Sequence, residues 1–148
     1  MAANGASGEP VLHAAFDHVY ELPLSRSIVD LASLVRGERA ISRLLGAGHD
    51  IVHVHTPIAA FITRYAARRL PAERRPVVIY TAHGFHFHQG GRAVTNASFL
   101  AAERLAGRWT DRLVVINDED EIAARKHQIV PSNRLVRMPG IGIDTSWF

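Results

Sequence analysis

The sequence predicts an α/β fold, a mainly parallel β-sheet with helices on both faces. Three observations predict it. Short β-branched runs recur at Ile51-Val52-His53-Val54-His55, Val77-Val78-Ile79-Tyr80, Leu113–Ile116 and Leu135–Met138. Longer stretches with apolar residues at helical spacing separate them. Strands that alternate with helices build right-handed βαβ units, in which neighbouring strands run parallel. At 148 residues the chain is one domain, long enough to bury a core.

Residues 1–16 are small and polar with little periodicity, which predicts a mobile lead-in before a domain at 17–148. His18–Leu24 carries Val19, Leu22 and Leu24 as a short strand, and Pro23, lacking an N–H, keeps it out of a sheet centre. Ser27 is the expected N-cap of the first long helix. Ile28, Leu31, Leu34, Val35, Ile41, Leu44 and Leu45 form its apolar face, Asp30, Arg36, Glu38, Arg39 and Arg43 its polar one. Gly46 and Gly48 end it. After the strand at 51–55, Thr56 caps a helix with Pro57 at its first position, running to about Leu70. After the strand at 77–80, Thr95 or Asn96 is expected to cap a helix through Phe99, Leu100, Leu105 and Trp109. Asn117 or Asp118 caps the helix that follows the third run, with Asp118, Glu119, Asp120 and Glu121 in a solvated first turn favoured by the macrodipole. About five strands result.

The composition excludes several function classes. No cysteine is present, so disulfides, thiolate metal sites and a cysteine nucleophile are excluded. Met1–Pro10 lacks the apolar segment of a signal peptide, and no run reaches the length of a membrane span. A reducing compartment is permitted. The net charge is +3, and Arg64, Arg68, Arg69, Arg74 and Arg75 fall within twelve positions. That cluster reads either as a solvated helix face or as a basic patch for an anionic membrane surface or phosphorylated ligand. Nucleic acid is not expected, because aromatic residues are not interleaved with the arginines. Gly-x-Gly-x-x-Gly after a strand, a P-loop and Gly-x-Ser-x-Gly do not occur.

The histidines concentrate the chemistry. Thr81-Ala82-His83-Gly84-Phe85-His86-Phe87-His88 breaks out of the strand 77–80 where open α/β sheets bind ligands, at the strand's C-terminal end. His53 and His55, two apart, share a strand face. Mid-strand His53 is expected to be buried. His55 and His83, at strand ends, are the functional candidates. A zinc site is permitted by ligand type, but without cysteine, a matching spacing or a nearby carboxylate no metal is expected. Thr56 and Asn117 open helices at the same sheet edge, each readable as a plain cap or as an anion site.

His49-Asp50-Ile51-Val52-His53-Val54-His55-Thr56-Pro57 resembles a strand of retaining GT-B glycosyltransferases of the family-4 type. Thr81–Phe87 resembles the loop of the exopolysaccharide and capsule members. Leu22–Ser27, Trp109–Asn117 and Pro139–Phe148 follow the family's order, so that the resemblance covers about 18–148. It implies one half of a GT-B architecture, a Rossmann-like acceptor domain, N-terminally shortened. It also implies hexosyl transfer from a nucleotide sugar to a saccharide acceptor, often lipid-linked at the cytoplasmic membrane face, without a metal. By resemblance His83 lies at the reaction centre, His55 and Thr56 line the acceptor side, and Gly84 and Asn117 contribute to substrate binding. The C-terminal donor-binding domain is expected to be absent, so a nucleotide sugar is expected only with a second domain or subunit in trans, and the chain alone is expected to be inactive. The alternative is a truncated module that binds acceptor or a second subunit without catalysis. The Arg64–Arg75 cluster fits peripheral membrane contact.

Overall fold

The computed structural model describes residues 1–25, 30–87, 92–140 and 142. The elements are β1 (Ala2–Ala3), α1 (Pro10–Ala15), β2 (Tyr20–Glu21), α2 (Leu31–Gly46), β3 (Ile51–Val54), α3 (Pro57–Ala67), β4 (Val77–Ala82), α4 (Ala93–Gly107), β5 (Arg112–Val115), α5 (Asp118–Lys126) and β6 (Leu135–Arg137). Four strands form a parallel sheet in the order β3-β4-β5-β6, and β1 pairs in parallel with β2. The α/β class with a parallel, Rossmann-like sheet flanked by helices is the predicted one.

Period-two alternation assigns the strand faces. Val54, Val78, Tyr80, Ala82, Leu113 and Val115 are buried. Ile51, Val77 and Val136, on the other face, stay 59, 46 and 41% exposed, which makes that face the more open one. Val54, Tyr80, Leu113 and Val115 pack with Ala124 and Ile129 into one cluster. Leu24, Ile41, Leu45, Ile62 and Val78 form a second. Gly107 at the end of α4 is required sterically, since a Cβ there would lie 1.9 Å from the Ile129 carbonyl oxygen.

Several boundaries differ from expectation. The lead-in 1–16 is built of β1, a 3₁₀ turn at Ala6–Gly8 and α1. What orders it is distant in sequence. Ala2 and Ala3 pair with Tyr20 and Glu21, and the Glu21 carboxylate accepts from the amides of Gly5 (2.6 Å) and Ser7 (3.2 Å) and from the Ser7 hydroxyl (2.9 Å). Ser27 lies outside the described residues. The N-cap of α2 is Asp30, which accepts from the Ser33 amide at 2.9 Å. Helix α4 begins at Ala93 rather than after Thr95 or Asn96, both of which lie inside it.

The arginine cluster divides. Arg64 is 1% exposed and belongs to no surface patch, which corrects its assignment to membrane contact. Its guanidinium donates to the Ala60 carbonyl (3.1 Å), the Glu103 carboxylate (3.1 Å) and the Thr110 hydroxyl (3.5 Å), and lies 4.3 Å over the Tyr80 ring. The Tyr80 hydroxyl donates to Glu103 at 3.3 Å, and burial, then the Glu103 charge, raise its pKa far above the phenol range. Arg75 pairs with Asp111 at 2.9 Å and donates to the Trp109 carbonyl. Arg68, Arg69 and Arg74 are exposed.

Candidate functional site

The predicted residues gather at the C-terminal edge of the four-strand sheet. Strand β3 delivers His55 and β4 delivers His83, and His55 Nδ1 lies 3.1 Å from His83 Nε2. One step back along the same face, His53 Nε2 meets the Thr81 hydroxyl at 2.8 Å. The three imidazoles form a row, with ring centroids 4.3 Å apart for His53–His55 and 5.4 Å for His55–His83.

His53 is exposed, contrary to expectation. The burial rule holds for a strand flanked on both sides and covered on both faces. Among the described residues β3 is the outer strand of its sheet, and His53 points to the more open face.

A hydrogen bond between two imidazoles requires one donor and one acceptor nitrogen, so the 3.1 Å contact needs at least one neutral ring. Burial, then the neighbouring His83, lowers the pKa of His53, and burial, then His53 and His83, lowers that of His55. Both therefore titrate below the ordinary 6.5. A lowered histidine pKa means that the folded state binds fewer protons than the unfolded one. Their contribution to stability is complete above 6.5 and is lost as the pH falls through the lowered values. Imidazole NMR titration is expected to give midpoints below 6.5 for both rings, and values at or above 6.5 would contradict the row. At neutral pH the row can accept a proton or donate a hydrogen bond to a polar ligand.

Gly84 turns the chain out of the sheet at φ 134°, a conformation that side chains rarely adopt. Phe85 then re-enters the core, and its amide donates to Asp120 Oδ1 at 2.9 Å. Asp120 is buried, not solvated as expected for the acid-led first turn. Its other oxygen accepts from the Asn117 side-chain amide (2.7 Å), and its own backbone N–H donates to Asn117 Oδ1 (2.7 Å). Asn117 is thus the N-cap of α5, tied through Asp120 to the His83 loop. Thr56 precedes α3 and is exposed, and its hydroxyl makes no capping bond. His86 packs beside Phe99, with ring centroids 5.2 Å apart. His88 lies outside the described residues.

Two contributors went unread in the sequence, Thr81 and Asp120. Asp120 stands three residues after its N-cap, the acid position of a capping box, and that spacing could have singled it out. Among the described residues no group of three or more His, Cys, Asp or Glu is arranged to hold a metal, and no helix is long and apolar enough to cross a membrane. A cleft of about 640 Å³ lies away from the histidines, beside the C-terminus of α4, where Arg104, Arg108 and Arg134 line it.

Known proteins share this sequence pattern. The chain is 35% identical over 149 aligned residues to EpsD of Bacillus subtilis (strain 168), whose name places it among the glycosyltransferases. It is 28% identical over 123 residues to the UDP-Gal:alpha-D-GlcNAc-diphosphoundecaprenol alpha-1,3-galactosyltransferase of Escherichia coli. The alignments take in 100 and 83% of this chain but only 37 and 28% of those proteins. The model of Glycosyltransferase Family 4 matches residues 3–147. Matched over nearly its whole length, the chain belongs to Glycosyltransferase Family 4, of GT-B architecture.

Proposed function

We propose that this chain is the acceptor-side domain of a hexosyltransferase, acting in exopolysaccharide assembly on a lipid-linked saccharide. The observation that carries the reading is the His55–His83 contact at the C-terminal ends of adjacent strands, in a chain of this family. The E. coli relative, named for a diphosphoundecaprenol acceptor, supports a lipid-linked substrate. A donor-binding domain, on further polypeptide or in trans, supplies the nucleotide sugar to the histidine edge of the sheet. The protein works in the cytoplasm against the inner membrane face.

In this reading His83 stands at the reaction centre and contacts the donor sugar or the charge that develops in transfer. His55 holds the His83 ring, and His53, braced by Thr81, backs His55. Gly84 lets the backbone approach the substrate, and Thr56 and Asn117 present the starts of α3 and α5 to the acceptor. The open sheet edge becomes a closed, water-poor site when the second domain faces it, which strengthens every polar contact there.

The test is transfer from UDP- and GDP-hexoses to a polyprenyl-diphosphate sugar, with this chain alone and with the C-terminal portion of EpsD added. Product is expected only in the second case. His83→Ala should then lower the rate by about 10²-fold or more, the range lost with a positioned acid, base or charge-stabilising group. No product in either case, or full activity of His83→Ala, would remove the catalytic reading.

A further inference from the structure

Helix α4 runs back from the His83 loop and ends at the N-terminal edge of the sheet, opposite the histidines. There Gly107 lets its last turn close on the Ile129 carbonyl, in the turn between α5 and β6. These two segments bound the cleft of about 640 Å³, a volume within the roughly 300–1,000 Å³ of small-molecule sites. Leu105 and Pro131 give it an apolar wall, and Arg104, Arg108, Gln128 and Arg134 a polar one. Arg134 is half-buried and anchored, since its guanidinium donates to the Thr110 carbonyl at 3.2 Å.

The charge of this cleft is unbalanced. No carboxylate lines it. Glu103 and Asp111, the acids that flank the last turn of α4 in the chain, are already paired with Arg64 and Arg75. Among the described residues Arg104, Arg108 and Arg134 have no carboxylate within ion-pair distance. The C-termini of α4 and α5 both end here, and at about half a negative charge each they leave the three guanidiniums with an excess of roughly two positive charges. Gln128 adds a second irregularity. Its φ is 50°, in the left-handed position after the C-cap of α5, where glycine is the usual residue. Among the described residues no other non-glycine residue has a positive φ. A long amide side chain is kept at the cleft against the preference of its own backbone.

We infer that this cleft binds a free phosphorylated small molecule, a phosphate or diphosphate ester carrying two or more negative charges. Each guanidinium fork can meet two phosphate oxygens at once, and the Gln128 amide adds a further donor. The apolar wall at Leu105 and Pro131 receives the body of the ester. A nucleic acid fits less well. The arginines line a bounded concavity rather than a stripe, and no aromatic ring lines it for a base to stack on. The cleft lies at the opposite sheet edge from the histidines, so the inference rests neither on the transfer chemistry nor on its acceptor.

The full 148-residue chain is titrated calorimetrically with pyrophosphate at low salt, and with uridine as a probe that carries no phosphate. Pyrophosphate should bind one to one and weaken as salt is raised, and uridine should not bind. Arg108→Gln with Arg134→Gln should lower the affinity roughly tenfold or more. Arg39→Gln, exposed on α2, makes a like change of charge elsewhere and should bind as the parent does. Where the double variant loses stability, Arg104→Gln, exposed on α4, carries the same test. Gln128→Gly should raise Tm by relaxing the cap and still weaken binding, a combination that a merely structural glutamine would not give. No saturable binding of pyrophosphate, an equal loss in Arg39→Gln, or undiminished binding in the cleft variants would each overturn the site. So would binding of phosphatidylglycerol vesicles without any binding of free pyrophosphate. Each of these results leaves the transfer reading standing.

Discussion

Replacing Arg64 with alanine is expected to lower the unfolding free energy by about 3–5 kcal/mol, read from urea denaturation. The loss comes chiefly from what remains. Glu103, on α4, keeps its charge in a site that is 8% exposed and loses the guanidinium 3.1 Å away. The Tyr80 hydroxyl still needs Glu103, and the face of its ring is left empty. Glu103→Ala should cost a similar amount for the mirror-image reason, an arginine buried without its carboxylate. The control is an apolar exchange of the whole unit, Arg64→Met with Glu103→Leu and Tyr80→Phe. It removes both charges and the orphaned hydroxyl together. The Ala60 carbonyl keeps its helical partner, and Thr110 keeps its bond to the Ala106 carbonyl at 2.9 Å. Buried ion pairs replaced this way are often neutral or better, so the triple variant should return to within about 2 kcal/mol of the parent. Single substitutions costing less than about 1 kcal/mol would mean that water reaches the network and screens it.

Arg64 also shows where sequence reading stops. In the chain it is the first of five arginines in a short stretch, and charge patterning treats the five alike. Only the placement of α4 and β4 around α3 separates it, because Glu103 is 39 residues away and Thr110 46. The same limit hid β1, whose two alanines carry no strand signal and are ordered by pairing with Tyr20 and Glu21. Signals confined to one element were legible. Short β-branched runs located β3, β4, β5 and β6, Pro57 marked the start of α3, and the pair Asn117-Asp118 marked the start of α5.

The site was legible in the same proportion. His55 and His83 stand at strand ends, and a parallel register brings strand ends together whatever the rest of the fold does. His53 depended on what flanks β3, which no local pattern encodes. Asp120 depended on the path of a loop from another strand. The cap rule narrows the start of α5 to Asn117 or Asp118 from the residues around it, but the second use of Asp120, as the acceptor for Phe85, exists only once β4 and β5 lie side by side.

That second use predicts the other large effect. Asp120→Ala removes the acceptor of the buried Phe85 amide and the partner of the Asn117 side-chain N–H. It keeps the helix cap, because the bond to Asn117 Oδ1 comes from the backbone N–H of residue 120. The variant therefore isolates the tie between α5 and the His83 loop. A buried donor left unpaired costs about 1–3 kcal/mol, more when the lost acceptor was charged. Asp120→Asn should fall between the two. Its amide oxygen can still receive the Phe85 N–H, but its NH₂ then faces the NH₂ of Asn117. That group cannot turn away, because Asn117 Oδ1 is held by the cap. Urea denaturation ranks the three proteins. Amide hydrogen exchange at Phe85 locates the effect, with protection expected to fall in Asp120→Ala by more than the global loss explains. With Gly84 at φ 134° just before it, the loop has no other anchor of this kind among the described residues, so its release moves His83 away from His55. Unchanged protection at Phe85 would show that the loop holds its place without Asp120.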